Sequence, residues 1–263
     1  MKSRTIIFLS FLLISTMLFV QSCSTEAHDK NELTTADEVA IGQSIHQAFL
    51  QKWQKDSNIV LLSIANYPVA HKYINNLQNQ IKNTPYLSQL TTIHLLHNKN
   101  TPTANAFVAP GGHVYIYNDL LQTLNYESQL MGVLTSLTAC SESKAATQKL
   151  TNRFSVPYMI DLALGGNVDN IDDVLMELQD IPYDTTGVAS YDQKSMQVLC
   201  AEGYNIQGYA DLFFLQSNLK WMQLFPRANT FGQTLFNRQD STDCSGSVDN
   251  EIPYKNMLGT LPQ

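Results

Sequence analysis

Apolar residues recur about one helical turn apart over residues 35–53, on a single face: Val39, Ile41, Ile45, Phe49 and Trp53. Similar periodicity predicts further helices over residues 68–81, 118–124, 126–150, 188–201 and 206–219. Short runs rich in β-branched and aromatic residues predict strands over residues 91–96, 105–108 and 113–117, with a turn at Pro110-Gly111-Gly112. The pattern therefore predicts a predominantly helical α+β domain with a small mixed sheet.

The first residues have the pattern of an export signal. Lys2 and Arg4 precede an apolar run over residues 6–20, which is too short for a typical membrane-spanning helix. The run ends in Val20-Gln21-Ser22-Cys23, which resembles a bacterial lipobox and implies cleavage before Cys23 and lipidation of its sulfur. An ordinary secretory signal with an incidental cysteine is the alternative. We expect a signal peptide over residues 1–22 and a polar tether over residues 23–34.

Composition limits the partners of the folded part. The chain has 263 residues and a formal net charge of −7, which leaves no basic surface for nucleic acid. We expect one main domain over residues 35–225, followed by a polar C-terminal tail over residues 226–263 that is loop or loosely packed chain. With a lipid on Cys23, the protein is expected on the periplasmic face of a bacterial cell envelope, and Ser24 favours the outer membrane.

The segment Asn105-Ala106-Phe107-Val108-Ala109-Pro110-Gly111-Gly112 resembles the strand-turn-strand signature of metallopeptidase family 48. The resemblance continues through Asp119-Leu120-Leu121 and through residues 128–134, and more weakly over the flanking helices from about residue 35 to residue 219. It implies a gluzincin-like metallopeptidase domain.

The zinc motif of that family is missing here. The family places H-E-x-x-H directly after the matched segment, because two histidines one helical turn apart bind zinc and the glutamate activates water. The matching positions hold Ser136, Leu137 and Cys140, and the position of the third ligand, a glutamate, holds Val188. Asp192 remains at the place of a carboxylate that orients a zinc-binding histidine in the family. We therefore expect no catalytic residue, no metal ligand and no cofactor.

The leading hypothesis from the resemblance is a pseudopeptidase that binds peptides or envelope proteins without cutting them. In the family, substrate pairs with the edge of the N-A-F strand, which points to Asn105, Ala106 and Phe107, with Gly111 and Gly112, as a peptide-binding edge. The alternative explanation is that the turn and the core require these residues.

An active zinc metalloendopeptidase with an unconventional or misaligned metal site is the alternative function, and zinc would then be its cofactor. The histidines are not expected to supply that site, because they are scattered along the chain: His28, His46, His71, His94, His97 and His113. His94 and His97 are three residues apart near a predicted strand, so they point to opposite faces.

With Cys23 lipidated, three cysteines remain, and they allow one disulfide in any of three pairings. The resemblance places Cys140 and Cys244 across the former cleft and favours a disulfide between them. Cys200 is then expected to be a small buried apolar residue. A catalytic cysteine is a further alternative, which no neighbouring histidine in the sequence supports.

Overall fold

A computed structural model describes residues 33–56, 58–89, 91–215, 219–227, 244 and 246–262. These residues form a mainly helical domain with one four-stranded mixed sheet, so the predicted α+β class is confirmed. The predicted signal peptide, Cys23 and most of the tether lie outside the described residues. No helix within the described part of the chain is both long and apolar enough to cross a bilayer.

The described helices are α1 Thr35–Lys55, α2 Pro68–Asn83, α3 Asn118–Thr123, α4 Glu127–Glu142, α5 Ala145–Phe154, α6 Val156–Ala163, α7 Ile171–Asp180, α8 Thr185–Ala201, α9 Ile206–Leu215, α10 Lys220–Leu224 and α11 Glu251–Leu258. The strands are β1 Ile59–Leu61, β2 Thr92–Asn98, β3 Ala106–Ala109 and β4 His113–Tyr117. The three predicted strands and the first two predicted helices are confirmed within a few residues.

The sheet has the strand order β1-β2-β4-β3. β2 and β4 run parallel, whereas β1 and β3 are antiparallel to their neighbours. A turn of 3₁₀ helix over Pro110–Gly112 connects β3 to β4. Strand β3 is therefore at one edge of the sheet, as the resemblance implied for the N-A-F strand.

Helix α1 packs close to that turn. It begins with a capping box, in which the Thr34 hydroxyl accepts from the backbone of Asp37 and the Asp37 carboxylate accepts from the backbone of Thr34. At Gly42 an added Cβ would lie 2.1 Å from the carbonyl oxygen of Pro110. Only glycine allows this approach, which brings the following turns of α1 over the sheet.

Helices α4 and α8 pack along each other and form the centre of the domain. The Ser195 hydroxyl donates to the Gly132 carbonyl across this contact, at 3.1 Å. The prediction of one helix over residues 126–150 is wrong at its middle. Helix α4 ends at Glu142, because Lys144 adopts a left-handed conformation with φ 56° and turns the chain into α5.

The described part of the C-terminal tail is packed, so the expectation of loose chain is wrong for residues 246–262. Tyr254 of α11 is fully buried and donates through its hydroxyl to the Leu121 carbonyl at 2.7 Å. The Asn118 amide donates to the carbonyl of Pro262 at 2.5 Å. Apolar residues such as Tyr254 and Met257 recur at helical spacing within this otherwise polar segment, and they hold it against the domain.

Candidate functional site

The positions of the missing zinc motif lie inside the core. Ser136, Leu137 and Cys140 of α4 are fully buried, and Val188 and Asp192 of α8 are almost fully buried. The resemblance assigns these positions to one zinc site, and they lie on two helices, α4 and α8, that pack against each other. The region that corresponds to the zinc cleft of the resembling family is therefore filled by side chains.

Cys140 is a buried thiol among aromatic side chains. Burial raises its pKa to about 12, and hydrogen bonds to Tyr191 and Tyr183 and the charge of Lys149 oppose this only in part. Since a metal ligand or a nucleophile must be a thiolate, this environment does not prepare Cys140 for either role.

The predicted disulfide between Cys140 and Cys244 is wrong. The structure instead joins Cys200 to Cys244, with their Cα atoms 5.2 Å apart, and leaves Cys140 free. The reason is the backbone after residue 244. Val248 forms an isolated parallel bridge with Tyr204, just beyond the C-terminus of α8, where Cys200 lies.

Asp192 has a partner that the sequence analysis did not name. Its carboxylate receives two hydrogen bonds from the Arg227 guanidinium, both at 2.7 Å, and a longer one of 3.5 Å from the Tyr209 hydroxyl. The carboxylate that would orient a histidine in family 48 is therefore satisfied by an arginine.

The predicted peptide-binding edge is buried by the chain's own segments. Asn105, Ala106 and Phe107 are fully buried. On the outer side of β3, the Ala104 carbonyl accepts from the Trp221 backbone at 3.3 Å, and the Val108 carbonyl accepts from the Tyr183 hydroxyl at 3.3 Å.

The side chain of Asn105 forms two further hydrogen bonds at this edge. Its amide donates to the Gln179 carbonyl at 3.0 Å, and its oxygen accepts from the backbone of Ala106 at 2.9 Å. A peptide could add to this strand only by displacing the segments that contain Gln179 and Tyr183.

Gly111 and Gly112 are explained by the turn itself. Both adopt positive φ, 71° and 84°. A Cβ at Gly111 would also lie 2.7 Å from the carbonyl oxygen of Glu38. These glycines are therefore required for the conformation of the turn and for its contact with α1.

Three histidines that were expected to be unrelated meet on one face of the sheet. His46 comes from α1, His94 from β2 and His113 from β4. One ligand atom from each lies within 4.8 Å of the others. His94 Nε2 and His113 Nδ1 are 2.9 Å apart, and His46 Nδ1 is 2.9 Å from the Tyr115 hydroxyl. We call His46, His94 and His113 the histidine cluster.

The imidazoles of the histidine cluster are held neutral by their surroundings. Burial lowers the pKa of His94 to about 3, and the nearby His46, His113 and His71 add to the effect. Burial also lowers the pKa of His113 to about 4, with a further contribution from His46. Burial lowers the pKa of His46 as well.

The remaining histidines do not join this cluster. The His71 Nε2 contacts the Leu62 carbonyl at 2.7 Å. His97 is in β2 but three residues from His94, so it is on the opposite face, as predicted. His28 lies outside the described residues.

A signal for the cluster was present in the sequence. His113 starts the strand after the N-A-F turn, and His94 is in the middle of an adjacent predicted strand. Finding it required the strand register, which pairs His94 with Tyr115 and Thr92 with His113.

A polar groove lies between α2, the start of β2 and α4. It has a volume of about 260 Å³. Amide and hydroxyl groups provide most of its polar lining, and we call it the amide groove: Asn75, Gln78, Asn79, Gln89, Thr91 and Thr138.

No protein-family model matches the chain, and no curated protein sequence matches it. Arguments about function therefore depend on the residues and on their geometry.

Proposed function

We propose that the protein is a non-catalytic relative of the family-48 metallopeptidases, with a gluzincin-like domain that binds peptides or partner proteins at a bacterial cell envelope. In this proposal a signal peptide is removed and a lipid on Cys23 anchors the chain on the periplasmic face, most naturally of the outer membrane. One observation carries the non-catalytic part. Leu137 of α4, at the position that the resemblance assigns to the general base, is fully buried.

Three neighbouring positions support the same conclusion. Val188 replaces the third zinc ligand with a buried apolar side chain, and the Asp192 carboxylate binds Arg227 rather than a histidine. Cys140 stays protonated at neutral pH because burial raises its pKa. None of these groups offers a ligand for zinc or a base for water.

The binding part of the proposal uses the amide groove rather than the edge of β3. That edge already has hydrogen-bond partners within the chain, from Tyr183 and Trp221. Amide side chains both donate and accept, so the exposed Asn75 and Asn79 can pair with the backbone of an extended peptide.

Absence of catalysis is tested with the full chain in detergent and a fluorescently labelled unfolded protein such as casein. We expect no cleavage that zinc stimulates and a chelator abolishes. The Leu137→Ala variant, which like the parent has no ionisable group at this position, should show the same background rate of cleavage as the parent. Chelator-sensitive cleavage that depends on a residue of this chain would overturn the proposal.

Binding is tested with fluorescent unstructured peptides and the full chain in lipid vesicles, by anisotropy. Replacing both Asn75 and Asn79 by alanine should lower the affinity for the peptides about tenfold, since each lost hydrogen bond contributes about 0.5–1.5 kcal/mol. Asn76→Ala is the matched control, because Asn76 is an exposed amide on the same helix that does not line the groove. Equal affinity in both variants would exclude the amide groove as the binding site.

The alternative function, a zinc metalloendopeptidase with an unconventional site, has one observation in its favour, which is the histidine cluster. Hydrolysis also needs a general base. Among the described residues, the charged groups that affect the pKa of His94 and His113 are other histidines and not carboxylates. No carboxylate contributes to the lowered pKa of either histidine, so we favour the non-catalytic proposal.

A further inference from the structure

The histidine cluster is built by three separate elements, and each places its imidazole by a different local rule. His94 and His113 share one face of the sheet, because the parallel register sets Thr92 beside His113 and His94 beside Tyr115. His46 approaches the same face from α1. The ring centroids of His46 and His94 are 4.2 Å apart, and those of His94 and His113 are 5.1 Å apart.

Gly42 fixes the height of His46 above the sheet. It lies one helical turn before His46, at the point where α1 touches the Pro110 carbonyl. One and two turns after His46, Phe49 and Trp53 pack edge-to-face against Tyr115, with ring centroids 5.5 and 5.8 Å from it. The position of His46 is therefore set on both sides by close packing.

We propose that His46, His94 and His113 bind one divalent transition-metal ion of the borderline class, such as Zn²⁺, Ni²⁺ or Cu²⁺, through three imidazole nitrogens. Imidazole is a preferred ligand of these ions, and three protein ligands with one open position make a familiar coordination set. The site differs from the zinc position of the resembling family, because it lies on the sheet face under α1 and not between α4 and α8.

The distances fit an ion after small side-chain rotations. Zinc binds imidazole nitrogen at about 2.0–2.1 Å, so two nitrogens of a tetrahedral site lie about 3.4 Å apart. His94 Nε2 and His113 Nδ1 lie 2.9 Å apart, which is close to that value. The third nitrogen has to move inwards from a separation of at most 4.8 Å.

Protonation does not oppose binding. A metal ligand must be a neutral imidazole, which is the common form at neutral pH because the ordinary pKa of histidine is about 6.5. His113 is only partly buried, so an ion can reach the cluster from solvent on its side.

Tyr115 supplies the support that metal-binding histidines commonly have. When His46 Nδ1 carries the proton, it donates to the Tyr115 hydroxyl and leaves Nε2 free for the ion. Tyr115 is itself fully buried and packed against Phe107. We assign it as a positioning residue that fixes the tautomer of His46.

The test uses the full chain in detergent, freed of metal by a chelator and then titrated with Zn²⁺, Co²⁺ and Cu²⁺. We expect one ion per chain by elemental mass spectrometry. The Co²⁺ form should lack a thiolate charge-transfer band, and the Cu²⁺ form should show nitrogen couplings in its electron paramagnetic resonance spectrum. These spectra need no variant, so they test the site even where a substitution impairs folding.

Variants identify the ligands. His46→Gln and His113→Gln should each weaken Zn²⁺ binding at least a hundredfold, whereas Tyr115→Phe should weaken it about tenfold. His97→Gln is the matched control, because it replaces a histidine of the same sheet on the opposite face. Circular dichroism of each variant without metal establishes that it is folded.

Three results would overturn the proposal. The first is less than one bound ion per chain at micromolar Zn²⁺. The second is binding that His97→Gln weakens as much as His46→Gln does. The third is a thiolate band that Cys140→Ser removes, because it would place the ion at the thiol and not at the histidine cluster.

Discussion

Asp192 and Arg227 form a two-pronged ion pair in the interior of the domain. Arg227 Nε is 2.7 Å from one carboxylate oxygen and Nη2 is 2.7 Å from the other, with 1% and 6% of the two side chains exposed. The guanidinium also lies over the ring of Trp221, 4.6 Å from its centroid. The chain beyond α10 is thereby tied to α8.

This pair predicts a large effect of a single substitution. Asp192→Ala removes both 2.7 Å hydrogen bonds and the opposite charge that Asp192 gives to the buried guanidinium of Arg227, so we expect a loss of about 3–5 kcal/mol in the free energy of unfolding. The matched control is Glu251→Ala, which removes an exposed ion pair with Lys255 and should leave the unfolding midpoint nearly unchanged. Urea unfolding followed by circular dichroism measures both. Similar losses in the two variants would contradict the structural role of the Asp192 pair.

Leu137 tests whether the position that we propose to correspond to the family's general base is packed. In an open metal cleft, Leu137→Glu would be tolerated, because the carboxylate would meet solvent or an ion. In the packed core we expect a loss of several kcal/mol in the free energy of unfolding, because the carboxylate is buried without a partner. Val39→Glu, at an exposed position of α1, is the control and should leave the unfolding midpoint nearly unchanged. A stable Leu137→Glu protein would show that α4 and α8 separate readily.

The elements around the sheet could be predicted because local rules fix them. The glycines at the turn, Gly111 and Gly112, and the apolar spacing along α1 are visible in the sequence. The break of the long helix at Lys144 was missed, because a lysine in a left-handed conformation has no local signature.

Long-range pairings could not be predicted in the same way. Cys244 pairs with Cys200 because a bridge between Tyr204 and Val248 returns the C-terminal chain to the end of α8, and no local pattern encodes that return. The histidine cluster depends on the register of β2 against β4 and on the close approach at Gly42. Spacing along the sequence made the histidines look unrelated, although the sheet brings them together.

The disulfide should contribute substantially to stability. It closes a loop between residues 44 apart, and the chain-entropy estimate for such a loop is about 4 kcal/mol. We expect the Cys200→Ser/Cys244→Ser double variant to unfold at a clearly lower urea concentration than the oxidised protein. Reducing agent should lower the midpoint of the parent protein and leave that of the double variant unchanged. No difference between parent and double variant would contradict this contribution.

Thiol counting gives a separate prediction about processing. The chain has four cysteines, of which the disulfide uses two. If Cys23 carries a thioether-linked lipid, the denatured but unreduced mature protein should show one reactive thiol, which is Cys140. Two thiols would contradict lipidation of Cys23, and a Cys23→Ser variant, which should also show one, calibrates the assay.

The thiol of Cys140 predicts a loss of stability at alkaline pH. An unfolded cysteine gives up its proton near pH 9, whereas burial keeps the folded thiol protonated until about pH 12. Between these values the folded state binds more protons than the unfolded state, so the free energy of unfolding falls as pH rises, by up to about 1.4 kcal/mol per pH unit for this one group.

Tyr183 and Tyr191, which face the thiol, have raised pKa values through burial and act in the same direction, whereas burial lowers the pKa of the nearby Lys149. The comparison must therefore be with Cys140→Ala, which should be less stable at pH 7 because it leaves a small cavity, yet should lose less stability between pH 8 and pH 10. Equal alkaline slopes in urea unfolding of the two proteins would contradict a thiol that is protonated when folded and ionised when unfolded.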